Sequence, residues 1–143
     1  MRLLFDTNIL IAGSVPGHPN REGCLPLLQE VVSRVTEGYI STHSLSEYYR
    51  YMTGKAQPQL SPKNTEKAIR QLLINFTAVS LDEGDYLAVF ARMRIQSLHG
   101  AIVYDAIIAQ AALKAEVDYI VTLNTYDFKR LGADVASLVF IFQ

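Results

Sequence analysis

Four widely separated acids are the residues of this chain best placed to do chemistry. Asp6 directly follows the apolar run Arg2 to Phe5 and is itself followed by Thr7 and Asn8. Glu47 lies six residues beyond Tyr39 to Ser41, Asp105 precedes Ala106, and Asp127 comes shortly after Thr122 and Asn124. Nothing soft accompanies them: Cys24 is alone, and His18, His43 and His99 are scattered, without metal-ligand spacing. Carboxylates sharing a pocket repel one another and take up protons unless a positive charge sits among them. A divalent cation is the usual solution, and all-oxygen ligands suit Mg²⁺ or Mn²⁺ rather than Zn²⁺. Two such ions about 3.5–4 Å apart polarise a phosphodiester, activate water and stabilise the leaving oxygen. If the acids meet, the chemistry implied is phosphodiester hydrolysis.

Whether they meet depends on the elements that carry them. Short runs at Arg2 to Phe5, Tyr39 to Ser41, Phe76 to Ser80, Tyr119 to Leu123 and Leu138 to Phe142 are mostly apolar throughout, the mark of parallel strands covered on both faces. Between them, apolar residues recur at helical spacing: Leu25, Leu28, Val32 and Val35; Leu45, Tyr48, Tyr49 and Met52; Ala68, Leu72 and Leu73; Ala88, Ala91 and Ile95; Ile108, Ala111, Ala112 and Ala115. Gly38 reads as a stop to the first long helix, and Pro58, Ser61 and Pro62 break the chain between two others. This alternation predicts an α/β three-layer sandwich of Rossmann type, with a central parallel five-stranded sheet, as one domain over residues 1–143. In such a sheet the carboxyl ends of the strands and the amino ends of the following helices share one edge. Asp6, Glu47, Asp105 and the Thr122 to Asp127 segment all fall there. The loop from Glu116 to Asp118 is short enough to force antiparallel packing, which returns Asp105 to that edge.

Composition narrows the class. The chain has 143 residues, half of them apolar, with thirteen Lys and Arg against fourteen Asp and Glu. A domain of this size builds its core without disulfide or metal staples, and a formal charge of −1 supplies no global field for polyanions. No apolar run approaches the roughly 18 residues of a membrane span, and the early Asp6 interrupts any leader-like stretch. A cytosolic, reducing compartment is the expectation. Once the four acids are neutralised, thirteen bases outnumber the ten acids that remain, so a local phosphate track becomes feasible. Arg50 and Lys55, with Lys129 and Arg130, are its candidates.

Asp6-Thr7-Asn8 after an opening strand, a helical Glu47, Asp105 before Ala106-Ile107-Ile108-Ala109, and Thr122-Leu123-Asn124 leading to Asp127-Phe128 together resemble the PIN-domain family, in particular its small stand-alone VapC toxins. The resemblance spans essentially the whole chain in order. It implies a Mg²⁺- or Mn²⁺-dependent endoribonuclease that cleaves RNA with activated water, with Asp6, Glu47 and Asp105 on the metal. Either Asn124 or Asp127 fills the fourth position, since the family commonly has Asp where this chain has Asn124. Thr7, Asn8 and Thr122 resemble the hydrogen-bonding partners that orient such carboxylates. The resemblance also implies a homodimer and an antitoxin protein that inserts a segment into the acidic groove.

Plainer readings compete. Asp6 can cap the helix that begins near Thr7. Ser44-Leu45-Ser46-Glu47 has the form of a capping box, and the helix dipole alone stabilises Asp105 in a first turn. Two other functions also fit an acidic edge. One is a non-catalytic module that holds a partner protein. The other is an aspartyl-phosphate phosphatase, although that pattern wants a second Asp where Asn8 stands.

Overall fold

A computed structural model describes residues 1–142. The chain runs β1 (Arg2–Phe5), α1 (Thr7–Ser14), α2 (Arg21–Val32), β2 (Glu37–Ser41), α3 (Thr42–Gly54), α4 (Pro62–Asn75), β3 (Phe76–Val79), α5 (Glu83–Ile95), α6 (Ile102–Lys114), β4 (Tyr119–Val121), α7 (Thr125–Lys129) and α8 (Ala133–Ala136). Its strands form one parallel sheet in the order β3-β2-β1-β4. Because side chains alternate across a strand, β1 feeds two cores. Leu4 packs with Ile108, Ile120, Phe128 and Leu131 beneath α5 to α8, while Leu3 and Phe5 pack with Ile9, Leu10, Ile40 and Tyr48 beneath α1 to α4. This is the expected three-layer α/β sandwich. Among the described residues, no helix is long and apolar enough to cross a membrane.

The chain leaves β1 toward β2 and β3 in one direction and returns on the other side as β4. The strand order therefore reverses between β1 and β4, opening a crevice beyond their carboxyl ends. Asp6 and Thr122 are the first residues past those ends.

Among the described residues the sheet has four strands rather than five. Of the run Leu138 to Phe142, Val139 alone bridges Ile120, with Ile120 N–H donating to the Leu138 carbonyl at 2.7 Å and Phe140 N–H to the Ile120 carbonyl at 2.8 Å. The cause is the brevity of β4, which offers an edge partner little to pair with. Beyond the bridge, aromatic contacts take over, as Phe140 meets Tyr119 and Phe142 edge-on.

Two helices are also rotated from the expected stripes. In α2 the buried residues are Cys24 and Val31, and the helix ends at Val32, leaving Val32 and Val35 exposed. In α5 the buried residues are Val89 and Met93, while Ala88 and Ile95 face solvent. Polar clamps set that rotation: Lys114 Nζ lies 2.6 Å from Asp85 Oδ2, and Arg92 grips both oxygens of Asp134 at 2.7 Å.

Gly38 is not a helix stop but an interior residue of β2. A Cβ there would stand 2.6 Å from Val31 Cγ1 and 2.7 Å from Phe76 Cδ2, so α2 lies against the sheet only because this position lacks a side chain. Overpacking of this kind costs about 1–3 kcal/mol. Gly38→Ala is expected to lower unfolding free energy by that amount in urea titrations; unchanged stability would show that α2 is free to move away from the sheet.

Candidate active site

Asp6 does two jobs with its two oxygens. With φ −65° and ψ 154° it caps α1, Oδ1 accepting from Thr7 N–H at 2.7 Å. Oδ2 accepts from Thr122 Oγ1 at 2.7 Å. The capping reading is therefore correct as far as it goes, and it leaves Asp6 anchored across the crevice to β4. Asn8 completes the link, its Oδ1 accepting from Leu123 N–H at 3.2 Å. Asp6 is 4% exposed, and burial pushes its carboxyl up to about 6 against the pull of these hydrogen bonds.

Glu47 does not belong to a capping box. The α3 cap is Ser41, whose Oγ accepts from His43 N–H at 3.1 Å, so the helix starts three residues earlier than a Ser44 cap would have it. The Glu47 carboxylate instead accepts from Thr7 Oγ1 at 2.8 Å, and the same hydroxyl lies 2.8 Å from Ser44 Oγ. Thr7 thus ties the start of α1 to α3 through an acid.

Asp105 lies in the first turn of α6. Burial, then the charges of Asp6, Asp127 and Glu47, push its carboxyl up to about 7. Those couplings identify Asp105 as the group that feels every other acid of the cluster. A cavity of about 230 Å³ is lined by Asp6, Thr7, Glu47, Asp105 and Asn124 together with Arg50 and Lys55. The two candidates for the fourth position stand differently. Asn124 lines the cavity, whereas Asp127 turns toward Arg130, 3.1 Å away. Lys129 and Arg130 stay outside the lining, Arg130 stacking its guanidinium over Tyr126 at 5.6 Å.

Among the described residues, no three His, Cys, Asp or Glu side chains form a closed metal-binding group; the acids ring a cavity rather than a point. Their chemistry nevertheless fits a hard cation. The donors are all oxygens, and two carboxyls are raised to about 6 and about 7 with only Arg50 and Lys55 as basic neighbours on the cavity wall. Ser44 and Tyr51, both on α3, belong to the same surroundings, Ser44 through the Thr7 hydroxyl and Tyr51 as part of the cavity wall.

A PIN domain family model matches residues 3–134 of the chain. No curated protein matches it. Among solved structures, VapC20 of Mycobacterium tuberculosis, described as a sarcin-ricin loop cleaving toxin, superposes with a TM-score of 0.67 at 12% identity, over 97% of this chain and 96% of that one. VapBC2 of Rickettsia felis, bound to a DNA fragment from its promoter, gives 0.65 at 18% identity over 97% and 96%. A toxin-antitoxin complex from Klebsiella pneumoniae gives 0.60 at 23% identity over 88% and 89%. At these identities the likeness is one of fold.

The raised carboxyls carry a linkage consequence. Asp6 and Asp105 titrate near 6 and 7 when folded, above the ordinary 3.8. Between about pH 4 and pH 7 the folded chain therefore holds more protons than the unfolded one, and stability falls as pH rises through that window. Asp105→Asn removes the larger share, so in metal-free denaturant titrations it is expected to flatten the decline and to exceed the parent in stability above pH 7. Parallel profiles for parent and variant would contradict the clustering of the acids.

Proposed function

The chain belongs to the PIN-domain family, and from that premise we propose that it is a Mg²⁺- or Mn²⁺-dependent endoribonuclease, the toxin of a toxin-antitoxin pair. The observation that carries this reading is the meeting of buried Asp6 and half-buried Asp105, with Glu47 and Asn124, around one cavity at the point where the strand order reverses. Asp6, Glu47 and Asp105 would hold the metal, with Asn124 supplying a neutral oxygen and Asp127 a charge from its rim. When bound, the metal supplies Lewis-acid polarisation of the phosphodiester and activation of water.

The chain's own residues do the positioning. Thr122 and the Thr7 amide fix the rotation of Asp6, and the Thr7 hydroxyl fixes that of Glu47. Asn8 holds the segment leading to Asn124. Arg50 and Lys55 follow Glu47 along the same face of α3 and its end, where they hold the phosphates on either side of the cleaved bond. No side chain is required as a nucleophile. An RNA substrate is supported by the likeness to a toxin described as cleaving the sarcin-ricin loop. An antitoxin partner is supported by the likeness to toxin-antitoxin complexes, and a cationic segment of that partner would meet the acids of the cavity.

The test is cleavage of single-stranded RNA with Mg²⁺ or Mn²⁺. Asp6→Asn and Asp105→Asn should abolish it, as should chelation, while Thr122→Val and Thr7→Val should reduce it by about 10- to 100-fold through misoriented carboxylates. Unchanged rates in the Asp variants would remove the mechanism. Saturable metal binding without cleavage would favour a partner-holding module instead.

The homodimer also finds support. On α5 the exposed residues Glu83, Leu87, Phe90 and Arg94 recur at spacings of four, three and four, a coiled-coil-like seam. About a twofold axis, an antiparallel copy would set Leu87 against the partner's Phe90 and Glu83 against the partner's Arg94, complementary in both apolarity and charge. Leu87→Asp is expected to give a monomer in light scattering with its circular dichroism intact. A dimer that survives this change would place the interface elsewhere.

A further inference from the structure

Beside the cavity stands an aromatic pair that the nuclease reading does not use. The rings of His43, in the first turn of α3, and Tyr104, in the first turn of α6, lie parallel within 7° at a centroid distance of 5.3 Å. Each is tied to an acid of the cluster. Tyr104 directly precedes Asp105, and His43 Nε2 is 3.5 Å from Glu47 Oε1. His43 is largely covered, and its Nε2 is buried without a hydrogen-bond partner among the described residues. Tyr104 is 51% exposed.

A singly exposed tyrosine needs no explanation by itself. Here, however, one ring backs the other, so the tyrosine is held at a fixed inclination across two helices that both carry site acids. An aromatic plane that is pre-set in this way and open to solvent loses little freedom when a flat ligand settles on it. The polymer expected at this edge carries flat groups at regular intervals beside its phosphates, and unpaired bases of RNA are bound by stacking on such side chains.

We propose that Tyr104, supported by His43, is a stacking platform for a nucleobase of single-stranded RNA adjacent to the phosphate held at the acidic cavity. This rests on the nuclease reading above. Because every base has a π-face, the platform holds any base of the strand, and it acts on substrate binding rather than on the bond-breaking step. Tyr104 is thus a positioning residue for substrate, and His43 positions Tyr104.

The chain contains no tryptophan, so Tyr104→Trp installs a single fluorophore at the platform. Its emission is expected to be quenched on titration with a single-stranded RNA oligonucleotide in Ca²⁺, and to change little with an abasic oligonucleotide of the same length. In cleavage assays Tyr104→Phe should behave as the parent, whereas Tyr104→Leu should raise KM by about 5- to 100-fold with kcat retained. RNA that binds, by anisotropy of a labelled strand, without quenching the tryptophan overturns the platform and leaves the nuclease reading intact. Quenching by RNA in a protein whose parent cleaves nothing overturns the nuclease reading and leaves a base-stacking surface. A Leu variant with parental KM, or quenching that is equal for the abasic strand, also overturns it. The fluorescence arm stands by itself if Tyr104→Leu fails to fold.

Discussion

A carboxylate buried at the end of the central strand is the constraint around which the rest of this molecule is arranged. Charge taken out of water is costly unless hydrogen bonds or an opposite charge replace the lost hydration. At Asp6 the hydrogen bonds come from α1 and from β4. They counter the burial in part, and the carboxyl still rests near 6. The remainder is an unmet demand for positive charge, and Asp105 amplifies it by adding like charge nearby. Stable cores on both faces of the sheet, anchored by Leu4 on one side and Phe5 on the other, hold these acids together despite their repulsion.

The site is accordingly built on rigid elements rather than on loops. Asp6 directly follows a strand, Glu47 and Asp105 lie in early turns of helices, and Asn124 stands immediately before a short helix beyond β4. Hydrogen bonds cross between these elements at 2.7–2.8 Å. Side chains held from behind in this manner keep their orientation when a ligand arrives, which is what an electrostatic site requires.

Much of this was legible in the order of residues alone. A buried strand ending in Asp-Thr-Asn, and a tight connection from α6 into β4, leave little choice about where Asp6 and Asp105 go. The rest depended on competition that a linear pattern does not display. Ser41 and Ser44 are both able to cap α3, and the choice of Ser41 frees Glu47 for Thr7. Helix α5 carries two apolar stripes, and its rotation was decided by ion pairs to Lys114 and Asp134 that lie far away in sequence. The His43–Tyr104 stack joins residues 61 positions apart by number on two helices, and nothing local in either segment announces it. A terminal run of apolar residues suggests a full strand until its neighbour proves too short to pair with it.

The position of β4 has a consequence for how the chain is made. The strand that flanks β1 on the crevice side is the last of the described strands to be synthesised, and the bond between Thr122 and Asp6 closes over 116 residues. A nascent chain emerging from the ribosome can pair β1 with β2 and β3 early, yet the crevice has only one wall until Tyr119 to Thr122 are out. The acidic groups consequently remain unassembled until β4 has emerged and paired with β1.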